Sequence, residues 1–199
     1  AELFCSASGR RFYRCGRCLA VFLAPECRVS LERERERYLL HRNDIGNVGY
    51  LEFLSPLVRA VERSFSAGQS GLDFGSGPVP VLSQLLKEKG YALEQYDPFF
   101  CDRPQALEKK YDFIVCCEVA EHFYAPAKEF ERLRSLLNDG GVLFCMTELY
   151  CEGTDFGSWY YKNDMTHVTF YHRDTLAWIK SRFGFSQLEI EGRLQILTA

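Results

Sequence analysis

Asp73, Gly75 and Gly77, in the string LDFGSGP (72–78), are the residues whose types and spacing point most directly to chemistry. An apolar run ends at Asp73, and the two glycines open a turn into Pro78 and Pro80, where a helix can start. Glycine lets a backbone approach a ligand that a larger residue would hold away. The start of the following helix aims free N–H groups and a positive dipole end at that turn. Asp97 stands twenty residues after Gly77, a spacing that suits a carboxylate gripping ribose hydroxyls. Ser76 within the turn, and Pro98 and Phe99 beside Asp97, belong to the same candidate site. A nucleoside-containing cofactor is the expectation.

A second concentration of reactive side chains lies in EVAEH (118–122). Histidine titrates near neutrality, so His122 and the later His167 are candidate bases for drawing a proton from an acceptor. Each imidazole equally suits a hydrogen-bonded structural role. Glu118, Glu121, His122 and His167 could also compose an oxygen- and nitrogen-rich site for Mg²⁺ or a similar ion.

The elements that must position these groups follow from the pattern of apolar residues. Strands are expected at 71–74, 91–96 and 111–117, with helices near 79–89 and from Pro126 onward. The continuously apolar YDFIVCC (111–117) suits a strand buried on both faces. NDGG (138–141) reads as a turn into the strand VLFCMTEL, and Asp174 as the cap of a later helix. Segments 185–190 and 193–198 flank Gly192 as a hairpin. The fold class is therefore α/β: a Rossmann-like, mostly parallel sheet with helices on both faces and a C-terminal antiparallel hairpin. Only fourteen residues separate Asp97 from Asp112, so the usual third strand is expected to be reduced or absent.

Upstream, LERERERYLLHR (31–42) carries opposite charges three residues apart and reads as a solvated helix. Leu51, Leu54, Val58, Val61 and Phe65 form a helical stripe that Pro56 should kink or begin. The expected organisation is a ribbon-like appendage at 1–27, a helical extension at 28–67 and a core at 68–199.

Composition bounds the rest. The 199 residues are 47% hydrophobic and 15% aromatic, enough for a real core and inconsistent with disorder. A net charge of −3 advertises no polyanion partner, and no apolar run reaches transmembrane length. Nine cysteines, an odd number with Cys116, Cys117 and Cys145 in apolar runs, suit a reduced, cytoplasmic setting better than a disulfide framework.

Other nucleotide motifs do not fit. The third glycine of G-x-G-x-x-G is replaced by Pro80, and no Walker string occurs. LDFGSGP, YDP (96–98), YDFIVCCEVAEHF (111–123) and LLNDGGVLFCMTE (136–148), in that order, resemble the class I S-adenosylmethionine-dependent methyltransferases over roughly residues 70–199. E-V-x-E-H and DMTHVTFY look like the branch that includes the ubiquinone-type O-methyltransferases, and small bacterial members with an N-terminal zinc ribbon look closer still. The resemblance implies S-adenosylmethionine as cofactor. Asp73, Gly75 and Gly77 would surround its methionine part, Asp97 its ribose and Phe99 its adenine, with Glu118 and Val119 lining the opposite wall. Val79 departs from the family pattern, which has a glycine there.

The absence of N/D-P-P-Y and of a Pro-Cys nucleophile favours oxygen as the methyl acceptor, on a small or sugar-like molecule. The Glu118/Glu121/His122/His167 set also looks like the metal cluster of small-RNA 2′-O-methyltransferases, which keeps that activity as an alternative. A cofactor-binding but inactive docking module is another. CSASG (5–9) and CGRCLAVF (15–22) resemble two zinc knuckles, giving Cys5, Cys15 and Cys18 as candidate ligands. Ser8 occupies the second ligand position, with Cys27 a substitute outside the expected knuckle, so the ribbon is either a three-cysteine zinc site with an extra ligand or a metal-free relic.

Overall fold

The computed structural model describes residues 1–40 and 43–199. Its largest element is a six-stranded sheet in the order β5–β4–β6–β7–β10–β9. β4 (Ser70–Phe74), β5 (Ala92–Tyr96), β6 (Tyr111–Cys117) and β7 (Leu137–Met146) run parallel. β10 (Leu194–Thr198) pairs antiparallel with β7 and with β9 (Gln187–Glu191), giving the expected hairpin. Between β5 and β6 there is an isolated Asp97–Cys101 bridge and a short 3-10 turn, Pro104–Leu107, in place of a further strand.

β6 shows why the sheet is covered twice. Phe113 and Val115 pack on the side of α2 (Val48–Ser64) and α3 (Val81–Glu88). Ile114 and Cys116 pack on the side of α4 (Pro126–Ser135) and α5 (Arg173–Phe183). Successive strand residues point to opposite faces, so a strand apolar throughout must be sandwiched. All nine cysteines are free thiols, and Cys116 and Cys145 are fully buried.

Two local expectations are revised and one is resolved. Of the two places open to it, Pro56 takes the interior of α2, not its start. Its ring nitrogen cannot donate to the carbonyl of Glu52, and the Ser55 hydroxyl donates to that oxygen instead, at 2.8 Å. Residues 138–141 bulge within β7 rather than preceding it: Tyr111 pairs with Leu137, and Phe113 already with Val142. The cap of α5 is His172, not Asp174. Its Nδ1 accepts from the Asp174 N–H, while Thr175 Oγ1 accepts from the His172 N–H.

The N-terminal residues form β1 (Glu2–Ala7), β2 (Arg10–Arg14) and β3 (Val21–Leu23), an antiparallel meander. β3 then pairs with β8 (Thr169–Phe170), far along the chain. Phe12, Val21 and Leu23 share one buried cluster with Tyr150, Phe156, Tyr161, Val168 and Phe170. α1 (Leu31–Leu39) follows, its N-cap Ser30 accepting from the Arg33 N–H. The last two residues of the expected 31–42 helix lie outside the described residues. No helix among the described residues is long and apolar enough to cross a membrane.

Candidate functional site

A cavity of about 780 Å³ opens at the C-terminal ends of β4, β5 and β6, where parallel α/β sheets leave a crevice. Asp73, Gly75, Ser76, Gly77, Asp97, Pro98, Phe99, Glu118, Val119, His122 and His167 all line it. Residues 50 to 100 positions apart in sequence thus share one wall system.

The glycine turn is held by close packing. Gly75 has a φ of +82°, and a Cβ built on it would lie 2.4 Å from Val119 Cγ2. Gly77 has a φ of +67°, but an added Cβ there would meet nothing within 4 Å. Gly75 is fixed by a neighbour, whereas Gly77 faces open space. The N–H of Gly75 donates to the Tyr96 carbonyl at 2.8 Å, tying the turn to the end of β5.

Two carboxylates flank this turn in different surroundings. Asp97 accepts from the N–H groups of Gly77 (2.9 Å), Phe99 (2.8 Å) and Phe100 (3.0 Å), so it links the two loops that form the cavity floor. Asp73 is buried and accepts from Ser83 Oγ at 2.7 Å. Burial raises its pKa to about 6, against the Ser83 hydrogen bond, which lowers it; the neighbouring Asp97 charge adds to the rise.

At the other end, Glu118 and Glu121 diverge. Glu118 has a φ of +52°, a strained value for a non-glycine residue, fixed by its N–H to the Met146 carbonyl at 2.7 Å. Its Oε2 accepts from Arg193 Nη2 at 2.7 Å, while its Oε1 is buried without a hydrogen-bond partner. Arg193 also pairs with Glu148 and lies against the rings of Phe53 and Tyr161. Glu121 is fully buried and accepts from the Tyr161 hydroxyl at 2.6 Å and from Thr147 Oγ1 at 2.9 Å. Burial pushes both glutamates upward in pKa; for Glu118 the charge of Glu121 reinforces this, and Arg193 opposes it.

The imidazoles converge on Glu121. His122 Nδ1 lies 3.0 Å from the Thr166 carbonyl, and His167 Nδ1 lies 2.7 Å from the Tyr161 carbonyl. A carbonyl only accepts, so each Nδ1 is assigned the proton and each Nε2 is the basic nitrogen. The rings are 4.9 Å apart, and His167 Nε2 lies 4.0 Å from Glu121 Oε1. Enclosure lowers the His122 pKa, although the Thr166 hydrogen bond opposes it. Glu121, His122 and His167 each offer a ligand atom, all within 4.8 Å of one another. Of the four residues expected around an ion, the structure groups these three and turns Glu118 toward Arg193.

Cys15 and Cys18 are brought together, their thiols sharing a side-chain hydrogen bond, but Cys5 does not join them in a group of three. Among the described residues the Glu121–His122–His167 set is the group of three or more ligands near enough to share an ion. Cys5 and Cys27 instead pack against the aromatic cluster of the ribbon. That cluster gives the ribbon an apolar core shared with the segment from Tyr150 to Phe170.

Several cavity residues escaped the sequence reading. Glu34, on the charged α1, is 4% exposed; it accepts from Tyr38 at 2.6 Å and Tyr124 at 2.8 Å. Tyr38 lies edge-on to both Phe99 and His122, and Arg37 pairs with Asp164 at 2.6 Å. The expected solvated helix is therefore the roof of the cavity. Arg193, which holds Glu118 from behind the cavity wall, lies in no motif of the sequence and carried no signal there.

A family model described as a methyltransferase domain matches residues 41–190. Ubiquinone biosynthesis O-methyltransferase of Histophilus somni (strain 2336) is 29% identical over 82 residues, 39% of this chain and 34% of that protein. The chain thus spans about a third of the length of the curated relative it matches. Among solved structures, Burkholderia thailandensis 1,6-didemethyltoxoflavin-N1-methyltransferase, with bound 1,6-didemethyltoxoflavin and S-adenosylhomocysteine, superposes with a TM-score of 0.59. It is 14% identical, covering 100% of this chain and 98% of that one. Haemonchus contortus phosphoethanolamine N-methyltransferase 2, in complex with S-adenosyl-L-methionine, gives a TM-score of 0.60 at 19% identity, covering 86% and 48%. At these identities the likeness is one of fold.

Proposed function

The chain belongs to the class I S-adenosylmethionine-dependent methyltransferase family, and from that premise we propose that its cavity binds S-adenosylmethionine for methyl transfer to an oxygen of a small-molecule acceptor. The observation that carries this reading is the Gly75–Val119 packing, which holds the turn open over a cavity large enough for a cofactor and a small partner. When bound, the cofactor supplies an electrophilic methyl group on a positively charged sulfur.

The chain's own residues have defined tasks in this reading. Asp97 already accepts three backbone N–H groups, and a carboxylate has about four lone-pair sites, so one remains for a ribose hydroxyl. Asp73 sets negative charge beneath the turn, where a cationic ligand would draw it into the ionised form. Phe99 offers an apolar face beside the ribose position. The α1 roof excludes water, which favours in-line displacement between aligned groups. His122, kept neutral by its enclosure, presents Nε2 as a base for an acceptor hydroxyl, with His167 beside it.

A second reading is favoured by the Glu121–His122–His167 group. Its donor set, one carboxylate and two imidazoles each oriented by a backbone carbonyl, fits a divalent ion. Such an ion would supply positive charge that makes an acceptor hydroxyl easier to ionise. Glu121, His122 and His167 would hold it, and none of them would then act as the base. The same group would serve a hydroxyl of a small molecule or the terminal ribose of RNA; the small molecules bound by the distant solved relatives favour a small acceptor over RNA.

Calorimetry with S-adenosylhomocysteine tests the main proposal. Binding is expected and should vanish in Gly75→Val; no affinity for the demethylated or methylated cofactor would overturn it. Manganese titration followed by electron paramagnetic resonance tests the second reading, with binding expected in the wild type and lost in Glu121→Gln. Cofactor binding without transfer to any hydroxylated acceptor in a cell extract would instead favour an inactive docking module.

A further inference from the structure

We propose that Arg10 is a positioning residue for the acceptor end of the cavity, fastening the 161–168 loop whose backbone carbonyls orient His122 and His167. The inference rests on the reading that those two imidazoles serve the acceptor.

The loop is held from two sides. On the cavity side it delivers the Tyr161 carbonyl to His167 Nδ1 and the Thr166 carbonyl to His122 Nδ1. The Val168 N–H also donates to the Glu121 carbonyl at 2.9 Å. On the far side it is held by the ribbon. Arg10 Nη2 donates to the Lys162 carbonyl at 2.6 Å and Nη1 to the Asp164 carbonyl at 3.2 Å. The Leu23 N–H donates to the Val168 carbonyl at 2.8 Å, and β3 continues the contact through Val21–Phe170 and Phe22–Thr169.

The chemistry of that loop explains the choice of arginine. Residues Tyr160–Asn163 form a single 3-10 turn, whose last carbonyls have no partner within the turn. A guanidinium presents two N–H donors in a fixed fork and so can satisfy two diverging carbonyls at once. Asp164 is held further by its own Oδ1, which accepts from the Thr166 N–H (3.0 Å) and Oγ1 (2.7 Å). The carbonyl that orients His122 thus stands two residues beyond one that Arg10 grips. Arg10 touches neither histidine, so its effect reaches them through the backbone.

The test compares Arg10→Met, Arg10→Lys and, as a control elsewhere on the ribbon, Glu2→Gln, whose side chain is exposed and pairs with Arg14. The first readout is solvent exchange of the Nδ1–H protons of His122 and His167, followed by NMR in the ligand-free protein. Arg10→Met should speed both exchanges about tenfold or more; Arg10→Lys, which can reach one carbonyl, should fall between; Glu2→Gln should match the wild type. S-adenosylhomocysteine affinity should stay within about twofold throughout, because the glycine turn is untouched. Unchanged exchange in both Arg10 variants, or equal losses in Glu2→Gln, would overturn the inference. If Arg10→Met fails to fold, the Arg10→Lys comparison decides alone. Cobalt titration separates this from the ion reading. Wild-type protein that binds no cobalt removes the ion, whereas unchanged exchange in the Arg10 variants removes the positioning role.

Discussion

A Cβ built on Gly75 would lie 2.4 Å from Val119 Cγ2 and 2.7 Å from Cγ1, so the turn after β4 and the residue after the third parallel strand define each other's position. Gly75→Ala therefore adds both a clash and the strain of a positive φ. We expect a loss of about 2–4 kcal/mol in urea unfolding and at least a tenfold loss of cofactor affinity. The double variant Gly75→Ala/Val119→Ala should regain part of the stability, since only the φ strain and a 3.1 Å Cβ contact remain. Strict additivity of the two single changes would contradict this packing.

Asp73 should make stability depend on pH in an identifiable window. Its pKa is near 6 in the folded chain against 3.8 for the free group, because burial disfavours the charge. The native state therefore holds a proton that the unfolded chain has lost, and the contribution of Asp73 to stability falls as pH rises from about 4 to 6. Asp73→Asn should be more stable than wild type above that window, by about 1–3 kcal/mol, with the gap closing toward pH 4. The same variant should bind S-adenosylhomocysteine more weakly. Chemical denaturation at pH 4.5, 5.5 and 7.5 checks the first point and calorimetry the second; a gap that does not grow with pH would refute it.

Arg193 and Glu118 form an ion pair about one-third exposed, at the strained corner after β6. Arg193→Met should cost about 1–2 kcal/mol, less than a fully buried pair would, because solvent screens part of the attraction. Glu118→Gln in that background should recover some of the loss. A double-mutant cycle should give a coupling of about 1 kcal/mol; a value near zero would mean that Arg193 acts mainly through its contacts with Phe53 and Tyr161.

The ribbon should depend on its aromatic cluster rather than on metal. Phe12 is fully buried against Phe156 and Phe170, so Phe12→Ala should cost about 3–5 kcal/mol. Cys15→Ser and Cys18→Ser should shift the melting temperature by no more than about 2 °C, and a zinc chelator should leave it unchanged. A large chelator-induced drop, or zinc retained in native mass spectrometry and lost in Cys18→Ser, would reverse this conclusion.

The sequence by itself determined what is encoded locally. Alternating strands and helices follow from runs such as YDFIVCC, whose apolar character demands cover on both faces, and the six-stranded sheet obeys them. The glycine turn and Asp97 were legible because conformational freedom and spacing are properties of a short string. The tertiary structure decided everything that depends on which distant segments meet. Glu34 sits in a helix whose charge pattern reads as solvated, yet Tyr124, ninety residues away, turns it inward. Nothing within EVAEH separates its two glutamates; Arg193 claims Glu118, while Thr147 and Tyr161 hold Glu121 beside the imidazoles. The ribbon's cysteines left open a zinc site or a metal-free relic, and nothing in that string shows the apolar core that the pairing of β3 with β8 lets the ribbon share. Local conformation is written in nearest neighbours, whereas these contacts join segments 26 to 149 residues apart, whose meeting is fixed by the packing of the whole chain.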